Sequence, residues 1–198
     1  MWRCSNLAKV AAIALVGCAV AAKDTDNYQP EIKPAEVRRM TEARDLLRQG
    51  KSKEAAEALR QLITVVPDYF LAHYNLGIAL SNLGDNKGSL AAFQKARALR
   101  DAKDLNEWSI YNSTGWAYMI LGDARKAEEL LKVAEAHADQ MPRGSQAKLW
   151  NNLGYLHMSN RDFAKARPYL EKGKAMNNSL AEDNLRVLNQ MTALQSPK

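Results

Sequence analysis

From residue 36 onward, apolar side chains return at helical spacing in short blocks, parted by polar turns centred on Gly50, Gly84 and Gly122. The blocks also resemble one another. Ala43, Leu46, Gly50, Ala55, Leu59 and Pro67 reappear 34 residues on as Gly77, Leu80, Gly84, Ser89, Phe93 and Asp101. Steps of 38 and 39 residues then bring Gly115, Tyr118, Gly122, Ala127, Leu131 and Asp139, followed by Gly154, His157, Arg161, Ala166, Leu170 and Asn178. The longer steps place short insertions near 100–106 and 141–145. The period predicts four two-helix units, 36–69, 70–103, 108–141 and 147–178. A closing helix and tail are predicted over 179–198, where Ala181, Leu185, Leu188 and Met191 make one apolar face.

The repeat has a physical reading. Gly77, Gly115 and Gly154 sit inside helical patterns, where each costs about 1 kcal/mol relative to Ala. A cost repeated at one phase needs a compensation repeated at the same phase. Lacking a Cβ, each glycine lets the second helix of its unit come close, and the small residues Ala55, Ser89, Ala127 and Ala166 do the same from the other side. Leu59, Phe93, Leu131 and Leu170 then fill the space between units. Asp85 and Asp123 are placed to cap the helices that follow their turns. Repeat four departs from the pattern: Pro168 falls about six residues into the second helix and should kink or delay it, and Gly173 replaces the usual Ala. This predicts a loosened last unit, covered by a helix that Ser179 and Glu182 open as a capping box.

These residues resemble the tetratricopeptide repeat, whose signature runs W-x₂-L-G-x₂-Y and then G-D, A, F, A and P. His73-Tyr74-Asn75-Leu76-Gly77 with Gly84-Asp85, Phe93 and Ala96 is a close match, as is Trp150-Asn151-Asn152-Leu153-Gly154. Arg39 and Glu42 stand where bulky apolar residues are usual, which suits a terminal unit facing water. The resemblance covers roughly residues 36–180 and implies an all-α, right-handed superhelical solenoid of about four helix-turn-helix repeats with a C-terminal capping helix.

In that family the first helix of each unit lines the inner wall. By phase the wall receives Met40, Arg44 and Leu47, then Tyr74, Ile78 and Ser81, then Asn112, Trp116 and Met119, then Lys148, Asn151, Tyr155 and Met158. The family's clamp for a terminal carboxylate uses Lys and Asn at set places. Asn112 and Asn151 stand where Lys would, which argues against that ligand. The expected occupant is a peptide or helix of a protein partner, with Tyr74, Ile78, Trp116, Met119, Tyr155 and Met158 giving apolar contact and Asn112, Asn151 and Lys148 polar contact. The competing arrangement has Trp116 and Tyr155 packed on each other, or on the chain's own tether, with no open groove.

Composition narrows the chemistry. The chain has 198 residues, 46% hydrophobic and 25% charged, one ordinary domain's worth of material. Two Cys and three scattered His (His73, His137, His157) build neither a disulfide framework nor a metal cluster, so no metal or cofactor is expected. His73 and His157 are expected to be packed or half-buried, and His137 exposed. No basic run exceeds pairs such as Arg38-Arg39, which makes nucleic acid a poor fit for the net charge of +6. Gly50-Lys51-Ser52 lacks the earlier glycine and the strand of a phosphate-binding loop. No catalytic constellation assembles, so a non-enzyme without a small-molecule substrate is expected.

The amino terminus reads as an address. A short basic stretch with Arg3 and Lys9 precedes an apolar run over 10–17, the pattern of a signal peptide over 1–17, too short to cross a bilayer, which takes about 20 apolar residues. Leu15-Val16-Gly17-Cys18 resembles the bacterial lipobox, which implies processing before Cys18 and acyl chains on it. Ala19 follows in place of the Asp associated with inner-membrane retention, so the resemblance favours the outer membrane, periplasmic face. Residues 18–35 then form a polar tether. Ala19-Val20-Ala21 also looks like an ordinary cleavage site, which leaves a soluble periplasmic adaptor or chaperone as the alternative. Lipoproteins of this build are similar to the pilotins and assembly factors of type IV and Flp-type (tight-adherence) pili. That resemblance implies a scaffold for an envelope machine; an accessory subunit of a cell-wall or polysaccharide enzyme is the third possibility.

Overall fold

A computed structural model describes residues 32–102 and 107–193. The chain divides into two units, 1–34 and 35–198, and the helical stack is the second. Among the described residues it holds nine α-helices and no strand: α1 (Pro34–Arg48), α2 (Ser52–Val65), α3 (Phe70–Asn82), α4 (Asn86–Ala102), α5 (Ser109–Ile120), α6 (Ala124–Ala136), α7 (Arg143–Ser159), α8 (Phe163–Ala175) and α9 (Ser179–Ala193), with a 3₁₀ turn at Ala138–Gln140. From α2 to α9 each helix packs on the next. In addition α5 touches α7 and α7 touches α9, so the first helices of successive units also meet one another. That second set of contacts makes the stack a solenoid with an inner wall of first helices.

The same turn separates the helices of every unit. In each, an N–H beyond the helix end bonds back to a carbonyl five residues earlier: Lys51 to Leu46, Asp85 to Leu80, Asp123 to Tyr118 and Asp162 to His157, all at 2.9 Å. This closure needs one left-handed residue. Gly84 (φ +78°) and Gly122 (φ +84°) supply it without a Cβ penalty, while Arg161 (φ +59°) adopts it in the last unit. Asp85, Asp123 and Asp162 then cap the next helix, their Oδ1 atoms accepting from the N–H of Gly88, Lys126 and Lys165 at 2.9, 3.1 and 3.3 Å. Hydrogen bonds to Lys126 and Lys165 hold the Asp123 and Asp162 carboxyls below the ordinary carboxylate range.

The glycine pairing expected inside each unit is what the structure shows. A Cβ on Gly77 would stand 2.5 Å from the Phe93 ring, one on Gly115 3.0 Å from Leu131 Cγ, and one on Gly154 2.5 Å from Leu170 Cγ. The hydroxyl of Ser89 donates to the Gly77 carbonyl at 2.8 Å, so a small polar residue holds the same approach from the opposite helix. Leu59, Leu131 and Leu170 are fully buried and Phe93 nearly so.

Four expectations about the last units need correction. Pro168 neither stops nor delays its helix: α8 runs unbroken from Phe163, and because Pro168 and Ala164 are both exposed, the carbonyl that loses its N–H partner faces water. Gly173 does not loosen the unit. A Cβ there would lie 2.7 Å from that of Ala181, so its absence is what lets α9 dock. The cap of α9 is Asn178 and not a Ser179–Glu182 box: Asn178 Oδ1 accepts from the Ala181 N–H at 3.0 Å, its Nδ2 donates to the Ala147 carbonyl at 3.1 Å, and Glu182 pairs with Lys174 instead. His137 is half-buried, stacked on Trp108 with ring centroids 3.5 Å apart. His157 stacks on Tyr169, and His73 is buried with Nε2 donating to the Pro67 carbonyl at 2.7 Å, as packed residues should. Burial keeps the His73 imidazole below its ordinary pKa.

Candidate binding cleft

The inner wall holds an open cleft of about 350 Å³. It is reached by α3 (Ile78, Ser81, Asn82), α4 (Phe93), α5 (Asn112, Ser113, Trp116), α7 (Lys148, Asn151, Asn152) and the start of α9 (Leu180, after the cap Asn178). Every contributing segment but α4 belongs to the row of first helices, because only that row faces inward. The walls are apolar where Ile78, Phe93, Trp116 and Leu180 stand and carry amides and hydroxyls elsewhere. Among the described residues that line it, Lys148 is the single charged side chain.

The polar floor is a chain of amides across three helices. Asn184 Nδ2 of α9 donates to Asn151 Oδ1 at 2.9 Å, Asn151 Nδ2 to Asn152 Oδ1 at 3.3 Å, and Asn152 Nδ2 to Asn112 Oδ1 of α5 at 2.9 Å. Asn112, Asn151 and Asn152 are all buried. An unpaired amide at such depth costs about 1–3 kcal/mol, so each link holds its neighbours in place and the three helices in register. Asn82 is tied separately, donating to Ser52 Oγ of α2 at 3.2 Å.

Of the residues expected to face the groove, Ile78, Ser81, Asn112, Trp116, Lys148 and Asn151 line the cleft. Tyr74 does not. It is packed beneath the wall between Phe70 and Phe93, at ring distances of 6.0 and 5.9 Å, with its hydroxyl 3.4 Å from Ser113 Oγ, and burial raises its pKa. Met158 is buried in the core made by Ala166, Leu170, Ala181 and Leu188, because α9 covers it. Met119 is partly buried against the core of the third unit. Tyr155 is 40% exposed and meets Trp116 edge-on at 5.8 Å. The two rings therefore do touch, yet the cleft beside Trp116 stays open. Sequence phase missed Asn82, Phe93, Ser113, Asn152, Asn178 and Leu180; the Asn151-Asn152 doublet was the visible signal for the floor.

Cys18, the leader over 1–17 and the tether to residue 31 lie outside the described residues. Among the described residues, no helix is long and apolar enough to cross a membrane, and no group of three or more His, Cys, Asp or Glu is placed to hold a metal ion.

Known proteins agree with this geometry. Among solved structures, PilW, a widely conserved type IV pilus biogenesis factor, is similar with a TM-score of 0.70 at 16% identity, over 81% of this chain and 71% of that one. PilF of Pseudomonas aeruginosa gives 0.61 at 18% identity, over 83% and 78%. MamA of Desulfovibrio magneticus RS-1 gives 0.59 at 17% identity, over 84% and 99%. At these identities the likeness is one of fold. No curated protein matches the sequence significantly. Residues 40–105 and 147–179, together half of the chain, match the family described as Tetratricopeptide repeat. The repeat phase, the glycine-mediated helix pairs and the inward row of first helices are thus those of its kin: the chain belongs to the tetratricopeptide-repeat family, a family of protein-interaction scaffolds.

Proposed function

We propose that this protein is a lipid-anchored scaffold of the bacterial envelope, without catalytic activity, that takes a peptide segment of a protein partner into the cleft and so helps assemble or localise a machine such as a pilus or secretion system. The observation that carries the reading is the open, mostly apolar cleft with Trp116 on its wall and a buried amide floor. Support for the setting comes from the lipobox-like Leu15-Val16-Gly17-Cys18 and from the similarity to the pilus factors PilW and PilF. The anchor holds the stack at the outer membrane, and the polar residues after Cys18 give it reach.

Two results test this. Trp116→Ala reduces recovery of the envelope partner from detergent extracts by about sixfold or more, the equivalent of over ~1 kcal/mol, while the thermal midpoint stays near that of the wild type. A matching loss of folding would assign Trp116 to the core and rule out an open groove beside it. For the anchor, metabolic labelling with an alkyne fatty acid marks the wild type and not Cys18→Ser. Label that persists in the variant, or is missing from the wild type, rules out lipidation at Cys18 and favours a soluble periplasmic adaptor.

A further inference from the structure

We propose that the cleft selects an extended peptide carrying an internal acidic side chain next to an apolar one, the carboxylate meeting Lys148 and the apolar group lying on Trp116 and Ile78. The proposal rests on the peptide-binding reading above and specifies its chemistry.

Three observations point there. The first is the state of Lys148. In the third and fourth units and α9, Lys126, Lys132, Lys165 and Lys174 each pair with a carboxylate, Asp123, Glu128, Asp162 and Glu182 in turn, and Lys172 lies over the Trp150 ring at 4.7 Å. Lys148 is exposed, lines the cleft and has no such partner among the described residues. A cation kept free in this cleft, where no acid lines the wall, is complementary to an anion brought from outside. A single ammonium matches a single carboxylate, so an internal Asp or Glu satisfies it and a free chain end is not required.

The second is the sense of the amide chain. Donation runs from Asn184 through Asn151 and Asn152 into Asn112 Oδ1, which leaves the Asn112 Nδ2 group, at the inner end, without an acceptor among the described residues. Donors at the floor call for carbonyl acceptors. A helix has already spent most of its carbonyls on its own N–H groups, whereas an extended strand offers them freely. The third is size. At about 350 Å³ the cleft stands at the small end of the range for ligand pockets, about 300–1,000 Å³, which suits a short motif.

The test uses the full chain and a fluorescein-labelled hexapeptide library with both ends blocked, read by anisotropy, with central positions varied through acidic, amide, basic and apolar residues. The best acidic peptide is expected to bind about fivefold tighter than its Gln analogue at 0.15 M salt, with the difference gone at 1 M, where screening acts over about 3 Å. Lys148→Glu should reverse the ranking in favour of a Lys analogue while leaving the far-UV melting curve unchanged, since the side chain is exposed and bonds to nothing described. Peptide binding that is lost in Trp116→Ala but ignores charge would overturn the acidic motif and leave the peptide-binding reading standing. An acidic preference unaltered in Lys148→Glu would also overturn it. Failure of every peptide in the library to bind would remove both.

Discussion

Gly154→Ala is expected to lower the thermal midpoint by roughly 3–6 °C, whereas Gly144→Ala, in the same helix, raises it by a degree or two. The two substitutions add the same methyl group and gain in helix propensity, up to about 1 kcal/mol for an interior position and less near an end. They differ in what the methyl meets. At Gly144 nothing lies within 4 Å of the added Cβ, so the gain is kept. At Gly154 the Cβ would stand 2.5 Å from two atoms of Leu170 and 3.3 Å from that residue's backbone nitrogen. Leu170 is fully buried against Ala166, Ala181 and Leu188, so it has nowhere to turn, and α8 itself must move. Overpacking of this kind costs about 1–3 kcal/mol, and with backbone as well as side chain in the way at Gly154 the upper half of that range applies, which exceeds the propensity gain by about 1–2 kcal/mol; in a domain of this size each kcal/mol shifts the midpoint by about 2–4 °C. Scanning calorimetry of the two variants decides it, and midpoints that move in the same direction would refute the account of why the repeat keeps its glycines.

That pairing is legible in the sequence because the chain repeats it several times: a glycine at one phase and a large apolar residue sixteen positions later, as in Gly77 with Phe93, Gly115 with Leu131 and Gly154 with Leu170. Repetition turns a weak local preference into a geometric rule. Features that occur once were harder. Asn and Ser are nearly equal as helix caps, so Asn178 and Ser179 could not be told apart by residue type; the left-handed Asn177 just before them sets where α9 begins. The inner wall shows the same limit. Helical phase assigns a residue to a face but does not say what lies over that face. Tyr74 shares its phase with Ile78, yet Phe70 and Phe93 close around it; Met158 shares its phase with Asn151, yet α9 covers it. The amide floor was the least legible part, since it joins Asn112, Asn151, Asn152 and Asn184 from three helices that only the tertiary fold brings together.

That floor gives the second large effect: Asn152→Ala is expected to cost about 2–3 kcal/mol, a fall of roughly 5–10 °C. Asn152 sits between two buried amides, accepting from Asn151 and donating to Asn112, so its removal strands a donor on one side and an acceptor on the other. Each stranded group costs about 1–3 kcal/mol when fully dry; water entering from the open cleft offsets part of that, which keeps the total below the simple sum. Asn184→Ala should cost much less, about 0.5–1.5 kcal/mol, because Asn184 is only half-buried and its loss strands one atom, Asn151 Oδ1. The decisive comparison is the pair Asn112→Ala and Asn152→Ala. With both amides gone neither strands the other, so the double variant should be more stable than the summed single losses by about 1 kcal/mol or more in urea unfolding. Strict additivity would mean that the 2.9 Å bond between α5 and α7 carries no coupling, and the cleft would then owe its shape to apolar packing alone.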